Sequence, residues 1–357
     1  MKKDFIEKLD GRQFEASAPC RLDMGGTLDL STFYLALKSH EPCTFNLALD
    51  MRTHVTIGPG RAGVTRIHSK GFEPAVFPLS QAPFDHPLGL MFAIANYFDA
   101  EGAAITIASQ SPPRSALGGS SSAAIALIAA FQAAFSNKIS RSDLLESSIA
   151  LAYALEASVA GVPCGLQDHL AAAHGGVHAW YWGVDPAKPL AYHRVNLIPA
   201  DDFSAFESHI LIAYCGKPHA SKNVNSRWVK QFVAGNHRRG WIEICSLTRK
   251  FIDAVSGFNY AEAADCMNRE VAIRRQMTPD VFDEIGEQLR TAAQENRCGV
   301  RFTGAGGGGC VWALGELEDI DRVRGMWENI VRQRSDAKLL DARIDNHGVM
   351  ISMNGQQ

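Results

Sequence analysis

Hydrophobic positions in the N-terminal half of the chain follow two periods, the alternation of a strand and the three-to-four spacing of a helix. Ile105 and Ile107 fall on one face of an alternating segment, whereas Leu88, Phe92 and Phe98 recur at helical spacing. The predicted strands cover residues 15–23, 45–57, 64–69, 103–109 and 177–182. The predicted helices cover residues 86–100, the apolar segment from Ala123 to Phe135, and residues 142–160.

In the C-terminal half, long helical periods are interrupted by short strand-like segments. The predicted helices cover residues 221–234, 242–256, 260–276, 280–295 and 319–334. The predicted strands cover residues 209–215, 299–302, 310–314, 339–344 and 348–353. Because strands and helices follow one another in mixed order rather than in strict alternation, the chain is predicted to be an α+β protein.

A stretch between the two halves, residues 185–202, contains prolines and carries no sustained period. It is the candidate connection between two domains, and a length of 357 residues also favours two domains over one. We therefore expect an N-terminal domain over residues 1–200 and a C-terminal domain over residues 201–357.

Composition limits the class of protein, but it does not indicate which reaction, if any, the protein catalyses. The chain is 46% hydrophobic and 20% charged, with a net charge of -3, which is typical of a globular protein and excludes a disordered one. This charge balance gives no sign of a nucleic-acid partner or of a membrane surface. The basic N-terminus lacks the apolar core of a signal peptide, and the eight cysteines form no C-x-x-C pair. These features predict a cytoplasmic protein.

The first candidate for chemistry is a glycine- and serine-rich tract, Gly118 to Ser122, directly before the helix predicted from Ala123. Glycine lets a backbone approach a ligand closely, and the N-terminus of a helix offers unpaired N–H donors and a partial positive charge. This arrangement suits a phosphate group. The alternative is that a serine merely caps the helix after a flexible turn.

A second tract, Gly304 to Gly309, satisfies the G-x-G-x-x-G pattern of dinucleotide-binding proteins. A strand is predicted after it, however, whereas a dinucleotide site requires a helix whose N-terminus faces the pyrophosphate. We therefore predict a tight turn between two strands. A nicotinamide-dependent oxidoreductase remains an alternative that only this pattern suggests, and the sequence has no Walker A motif.

Charged residues accompany a third glycine tract, in which Gly25 and Gly26 stand between Arg21 and Asp29. Such a tract suits a polar small ligand, or it is a glycine turn with solvated charges. Farther along, Asp168 lies in a glycine-containing turn ahead of an alanine-rich segment. Asp168 is a candidate general base for a hydroxyl group, and the alternative is that it caps the helix that follows.

Together the three tracts resemble the motifs of the GHMP kinase superfamily, named for galacto-, homoserine, mevalonate and phosphomevalonate kinases. The matching segments are APCRLDMGG at 18–26, PRSALGGSSSAA at 113–124 and FTGAGGGGC at 302–310. The resemblance is closest to the sugar-kinase branch. The segment EASVAGVPCGLQD at 156–168 resembles galactokinases, and GLQDHLAAAHGG at 165–176 resembles bacterial D-glycero-D-manno-heptose-phosphate kinases.

The sequence departs from the family pattern at two positions. The heptose-kinase form of the tract at Gly25 and Gly26 is Gly-Gly-Thr-Asp, so that Leu28 stands as an insertion before Asp29. Ala116 replaces a glycine that is usual in the phosphate loop. Its methyl group is expected to fit only if the φ angle of Ala116 is negative.

The resemblance implies a two-domain GHMP kinase fold, with a ribosomal S5 domain 2-like N-terminal domain and a ferredoxin-like C-terminal domain. It also implies ATP and Mg²⁺ as cofactors. Asp168 would deprotonate the acceptor hydroxyl, and Arg21 would neutralise the transferring phosphoryl group and keep Asp168 ionised. Ser120 and Glu156 would hold the metal. The residues expected to bind ATP are Gly118, Gly119, Ser120, Ser121 and Ser122, and those expected to bind the substrate are Gly26, Thr27, Asp29 and Asp168.

What the resemblance implies about activity is transfer of a phosphoryl group from ATP to a hydroxyl of a sugar or sugar phosphate, with the anomeric hydroxyl as the favoured position. Two alternatives stay open within the same fold. One is an inactive sensor that binds ATP and sugar, and the other is a kinase for a non-sugar alcohol such as mevalonate. We expect a monomer or a homodimer.

Overall fold

The computed structural model describes residues 5–9, 11–135, 139–161, 163–183, 192–218 and 221–354. Its strands are β1 (Gln13–Met24), β2 (Cys43–Pro59), β3 (Thr65–Ser69), β4 (Ala75–Phe77), β5 (Ala103–Ser109), β6 (Val177–Trp182), β7 (Tyr192–Asn196), β8 (Ile210–Tyr214), β9 (Gly299–Phe302), β10 (Cys310–Leu314), β11 (Lys338–Leu339) and β12 (Met350–Asn354). Its helices are α1 (Phe5–Leu9), α2 (Ser31–Tyr34), α3 (Gly89–Tyr97), α4 (Gly119–Phe135), α5 (Arg141–Val159), α6 (Gln167–His174), α7 (Phe203–Glu207), α8 (Ser221–Val233), α9 (Arg238–Ser256), α10 (Tyr260–Met277), α11 (Glu284–Glu295) and α12 (Leu317–Val331).

The first sheet is built around the long hairpin of β1 and β2. Its order is β12-β1-β2-β5-β3-β4, and β6 pairs with the first residues of β2 while β7 pairs with β6. All pairs are antiparallel except β3 with β5. Helix α4 packs on β1 and β2, and its apolar side chains are buried because the sheet covers one side and α3, α5 and α6 cover the rest. This packing fixes the N-terminus of α4 beside β1.

The second sheet has the antiparallel order β11-β8-β10-β9. Helices α9 and α10 pack on each other, and α10 also lies against β9. The interior is rich in large aromatic rings, including the fully buried Trp228, Trp241, Trp312 and Trp327. The last strand, β12, returns to the first sheet and pairs with β1, where Ala16 faces Ile351. The chain end is therefore tied to the N-terminal sheet.

The α+β class predicted from the mixed order of elements is confirmed, as is the position of most elements. Several details differ, and three of them are described here. Helix α4 begins at Gly119 rather than at Ala123, so the three serines form its first turn. Strand β7 lies in the stretch predicted to lack a period, of which residues 185–191 fall outside the described part. The strand predicted over 339–344 is limited to Lys338–Leu339, with an isolated bridge from Ile344 to Leu49. The division of the chain at residue 200 stays a prediction.

Within the described ranges, the structure contains no helix with the length and apolar character needed to cross a bilayer.

Candidate active site

The three glycine tracts of the sequence meet around one buried cation, Arg21 on β1, whose side chain is 4% exposed. Its backbone N–H donates to the carbonyl of Leu117 over 2.9 Å, and its Nη1 donates to the carbonyl of Ala116 over 2.6 Å. On the other side, a Cβ built on Gly304 would lie 3.6 Å from Nη2 of Arg21. The predicted strand-to-strand turn is confirmed, because this tract joins β9 to β10.

The glycine turn between β9 and β10 supports the loop that precedes α4. The N–H of Cys310 donates to the carbonyl of Ser115 over 2.9 Å. A Cβ on Gly309 would come within 2.6 Å of that same carbonyl oxygen, and the φ angle of Gly309 is +85°. Only glycine allows this approach, so the turn holds the loop in place from behind.

Asp168 accepts two hydrogen bonds from the guanidinium of Arg21, one from Nε over 2.8 Å and one from Nη2 over 3.0 Å. Such a bidentate pair fixes both side chains in orientation. Burial alone would lower the pKa of Arg21, but Asp168 and Asp23 raise it above its usual value. Asp168 stands in the first turn of α6, where the N-cap residue is Leu166 and makes no side-chain capping bond. The carboxylate of Asp168 thus faces Arg21, and it remains 26% exposed.

Arg21 is the outer member of a buried network of charges. Asp23 on the same strand lies 3.4 Å from Nη1 of Arg21, accepts the N–H of Gly304 over 2.8 Å, and accepts Nη1 of Arg301 over 2.9 Å. Both Asp23 and Arg301 are fully buried. Asp23 therefore connects the cation beside Asp168 to the second sheet.

The network continues through Glu270 on α10, which binds one arginine with each carboxylate oxygen. Nε of Arg301 lies 3.2 Å from one oxygen, and Nε of Arg274 lies 2.8 Å from the other. Arg274 then donates to the carbonyl of Gly26 over 2.7 Å and to the hydroxyl of Thr27 over 3.4 Å. The turn that carries the predicted substrate residues Gly26 and Thr27 is thus held by a buried side chain of α10.

The first turn of α4 has the donor pattern of an anion site. Gly118 has a φ angle of +75°, and its carbonyl accepts the N–H of Ser122 over 3.0 Å as the first helical bond. The N–H groups of residues 119–121 are those that helix geometry leaves without an intrahelical acceptor. Ser120 is exposed. These donors and the helix dipole point toward the space in front of Gly118.

Ser122 differs from the other predicted nucleotide residues, because it is 1% exposed. Its hydroxyl donates to the carbonyl of Pro19 over 2.7 Å and lies 3.0 Å from the carbonyl of Gly118. Its hydroxyl therefore joins α4 to β1, and its N–H is used in the first helical bond. Its assignment to a phosphate site stays a prediction.

Glu156 on α5 reaches the first turn of α4 from behind. One of its oxygens accepts the hydroxyl of Ser121 over 3.0 Å and lies 2.8 Å from Nε2 of His169. Burial would raise the pKa of Glu156, but His169, Ser121 and Ser120 together hold it below its usual value. An ionised carboxylate beside two hydroxyls is a set of hard oxygen donors, which fits Mg²⁺.

Asp29 lies just after the glycine tract of Gly25 and Gly26 and is 4% exposed. Its Oδ2 accepts the backbone N–H of Gln167 over 3.1 Å, and a Cβ on Gly165 would overlap this oxygen at 1.8 Å. Burial, reinforced by the charge of Asp168, raises the pKa of Asp29 to about 6. The glycine beside the proposed base is therefore required by the close approach of Asp29.

The inserted Leu28 is accommodated in the core rather than in the site. Leu28 is fully buried in a cluster with Phe33 and Trp241. The adjacent Thr27 takes up the resulting bend, with a φ angle of +81°. A β-branched residue in this region is strained by about 1–3 kcal/mol, and the bond from Arg274 to its hydroxyl contributes to holding it there.

Ala116 does not satisfy the condition set by the sequence, because its φ angle is +63°. The expectation of a negative φ at Ala116 is wrong. A methyl group in the left-handed region costs about 1–2 kcal/mol. The carbonyl of Ala116 is held by Arg21, so the surrounding contacts impose this conformation.

Sequence reasoning missed the residues that position the site from within. They are Asp23, Asn46, Gln167, His169, Glu270, Arg274 and Arg301. The four-residue spacing of Glu270 and Arg274 on a helix was a usable sign of one ion pair. The position of Arg301 directly before the segment 302–310, which contains Gly304 to Gly309, was a second usable sign.

The raised pKa of Asp29 predicts a pH dependence of stability. The folded state keeps its proton up to pH about 6, whereas the unfolded state releases it near 3.8, so the contribution of Asp29 is present below about pH 4 and is lost as pH rises through 6. Two pKa units correspond to roughly 3 kcal/mol. We expect Asp29→Asn to lose correspondingly less free energy of unfolding between pH 4 and 7, as measured by urea titration.

Asp341→Asn, at an exposed position, is the matched control and should follow the wild-type curve. Parallel curves for wild type and Asp29→Asn across this pH range would contradict the assignment of the slope to Asp29.

Comparison with known proteins places these residues in a family context. Residues 87–176 match the family model described as the GHMP kinases N terminal domain. The matched stretch includes the first turn of α4, Glu156 and Asp168. The chain contains a GHMP kinase N-terminal domain. A search of curated protein sequences found no match.

Solved GHMP kinases share the fold over nearly the whole chain. A D-glycero-D-manno-heptose 1-phosphate kinase from Bacteriodes thetaiotaomicron is 16% identical with a TM-score of 0.71, covering 96% of this chain and 100% of its own. A Lactococcus lactis galactokinase complexed with galactose is 17% identical with a TM-score of 0.70, covering 97% and 98%. A Streptococcus pneumoniae phosphomevalonate kinase in complex with phosphomevalonate and AMPPNP is 13% identical with a TM-score of 0.69, covering 93% and 99%.

At these identities the likeness establishes the fold, so the GHMP kinase fold expected from the three tracts is confirmed. The similar structures include a galactokinase and a phosphomevalonate kinase. The individual roles of the site residues remain predictions.

Proposed function

We propose that this GHMP kinase domain protein transfers the terminal phosphoryl group of ATP to a hydroxyl of a sugar or a sugar phosphate, with Mg²⁺ as cofactor. The observation that carries the proposal is the bidentate pair of Asp168 and Arg21 at the N-terminus of α4. A Cβ on Gly118 would lie 3.4 Å from the carboxylate of Asp168, so the base stands directly beside the phosphate loop. A base, a cation and an anion site converge on one point.

The phosphates of ATP would be bound by the first turn of α4. The N–H groups of residues 119–121 have no acceptor within the helix, and the hydroxyl of Ser120 is exposed, so these groups can donate hydrogen bonds to an anion. Glycine at 118 lets the phosphates approach the backbone. This assignment agrees with the nucleotide analogue bound to the similar Streptococcus pneumoniae enzyme.

The metal would be held by Glu156 together with Ser120, and Ser121 offers a second hydroxyl at the same carboxylate. When bound, Mg²⁺ would neutralise charge on the phosphates of ATP. The chain's part is to keep Glu156 ionised, and the nearby imidazole of His169 and the hydroxyls of the serines support this.

Asp168 would accept the proton of the acceptor hydroxyl as that oxygen bonds to the phosphorus. Arg21 orients both carboxylate oxygens of Asp168 and places positive charge where the transferring group gains negative charge. Because Arg21 is itself held by Ala116 and Asp23, the pair is fixed before substrate arrives. In phosphoryl transfer, such positioning and electrostatic stabilisation account for most of the catalysis.

The acceptor would contact Gly26, Thr27 and Asp29, which belong to the glycine tract near Asp168. A buried carboxylate such as Asp29 can bind two adjacent hydroxyls, a pattern that sugars offer and that mevalonate offers less well. The galactose bound to the similar Lactococcus lactis enzyme supports this choice, and the anomeric hydroxyl is the favoured position. We also propose a cytoplasmic location, where ATP is plentiful.

Release of ADP with a panel of acceptors tests the proposal. We expect turnover with at least one hexose, heptose or monophosphate of these sugars, in the presence of MgATP. Turnover with mevalonate alone would favour the alternative of a kinase for a non-sugar alcohol. Binding of ATP and of sugar by calorimetry without any turnover would instead establish the sensor alternative.

A further inference from the structure

Behind the first turn of α4, three side chains of different chemistry face one another. Glu156 from α5, Cys164 from the turn before α6, and His169 from α6 each offer one ligand atom, and these atoms lie within 4.8 Å of one another. Of the three, only Glu156 would hold a ligand in the proposed kinase reaction, and His169 acts there only by favouring the charged form of Glu156. The thiol of Cys164 is left without an assigned role.

His169 is fully buried, yet the nitrogens of its ring lack hydrogen-bond partners among the described residues. Nε2 lies 2.8 Å from a carboxylate oxygen of Glu156, but among the described residues neither ring nitrogen makes a hydrogen bond of acceptable geometry. The ring of Tyr153 packs edge-on against it, with centroids 6.1 Å apart. A buried nitrogen that is close to an oxygen and outside hydrogen-bonding geometry has the placement of one of two ligands around a common cation.

The three donors suit a borderline transition metal much better than they suit Mg²⁺. Imidazole nitrogen, thiolate sulfur and carboxylate oxygen are the usual ligands of Zn²⁺, whereas Mg²⁺ takes oxygen ligands and retains water. Bond lengths of about 2.0–2.3 Å keep the ligand atoms of a tetrahedral zinc roughly 3.3–3.7 Å apart. Side-chain shifts of about 1 Å bring the three atoms to this spacing.

We propose that Glu156, Cys164 and His169 form a binding site for Zn²⁺ or a similar divalent transition metal, with three protein ligands and one open position. On binding, the S–H bond of Cys164 breaks, a sulfur–metal bond forms, and the proton passes to solvent. No electron is transferred. The hydroxyl of Ser121 also lies beside this site and donates to Glu156 over 3.0 Å.

This site has a regulatory consequence that rests on the proposed function. Glu156 cannot serve both metals at once, so zinc bound by the triad removes the carboxylate from the magnesium site. Zinc would therefore inhibit phosphoryl transfer, and raising the concentration of MgATP would relieve the inhibition.

Titration of the full-length protein with Co²⁺, a spectroscopic substitute for Zn²⁺, tests the site without any measurement of activity. We expect visible bands of tetrahedral cobalt together with a thiolate-to-cobalt charge-transfer band in the near ultraviolet, both displaced by Zn²⁺. The Cys164→Ala and Cys164→Ser variants should lose the charge-transfer band and bind Co²⁺ at least about tenfold more weakly. Cys266→Ala removes a cysteine that is 2% exposed on α10, and it should keep the wild-type spectrum.

Wild-type protein that shows no charge-transfer band at saturating Co²⁺ overturns the proposal, whatever the variants do. A band that persists in both Cys164 variants overturns it as well, because the thiolate then comes from another cysteine. His169→Gln should keep the charge-transfer band but shift the visible bands, since one nitrogen ligand is lost. The spectrum decides the metal site and the ADP assay decides the proposed function, so either can fail alone.

Discussion

Asp168→Asn is expected to lower kcat by about 10²–10⁴-fold while leaving the affinity for ATP within about threefold of the wild-type value. Asparagine keeps an oxygen that can accept one bond from Arg21, but it cannot take a proton from the acceptor hydroxyl. The nucleotide donors lie on α4 and do not depend on this carboxylate. Turnover is measured by ADP release at saturating sugar, and ATP affinity by calorimetry.

The chain offers a matched control for this substitution. Asp280 also binds an arginine with both oxygens, since Nη1 and Nη2 of Arg227 lie 3.1 and 3.4 Å from them, but this pair is exposed at the surface. Asp280→Asn should leave kcat unchanged. If Asp168→Asn keeps kcat within tenfold of wild type, Asp168 is not the base, and Arg21 would then act on the phosphoryl group without it.

The parts of the site that the sequence predicted are those in which function depends on local spacing. Gly118 to Ser122 precede an apolar run, so a phosphate loop at a helix start could be predicted from neighbouring residues alone. The turn at Gly304 to Gly309 could also be predicted from neighbouring residues. The strand after it excludes a dinucleotide-binding site, which requires a helix there. Local rules placed the start of α4 four residues too late because serine is a frequent cap, and here the first turn contains the serines.

The parts that escaped prediction depend on contacts between distant residues. Asp23 and Arg301 are 278 positions apart in the chain, and nothing in the local sequence of either indicates the other. The positive φ angles of Thr27 and Ala116 have the same origin. Each residue alone prefers the opposite region, and bonds from Arg274 and Arg21 hold the backbone beside it.

Glu270→Gln is expected to lower the free energy of unfolding by about 3–5 kcal/mol, a large fraction of the total for a domain. The glutamate is fully buried and binds Arg301 and Arg274, one with each oxygen. Glutamine has nearly the same shape, but it removes the negative charge between two buried guanidinium groups. The charge of Asp23 then remains as their negative partner in this network. Midpoints of guanidinium chloride unfolding measure the change.

Glu287 on α11 provides the control, because it also binds two arginines, Arg275 and Arg290, but is 30% exposed. Glu287→Gln should cost only about 0–1 kcal/mol, since water screens the pair and replaces the lost contacts. Equal losses in the two variants would contradict the view that burial makes the inner network important.

The acid side of the pH profile provides an independent check on the same network. Burial would raise the pKa of Glu270, but Arg301 and Arg274 hold it below its usual value. The stabilisation is therefore present above the ordinary glutamate pKa of about 4.3 and is lost as pH falls through the lower folded value. The difference between wild type and Glu270→Gln should stay constant from about pH 5 to 8 and shrink below about pH 4, because the wild-type protein then also loses the charge. Since Arg274 also holds Gly26, the variant should in addition raise KM for the sugar.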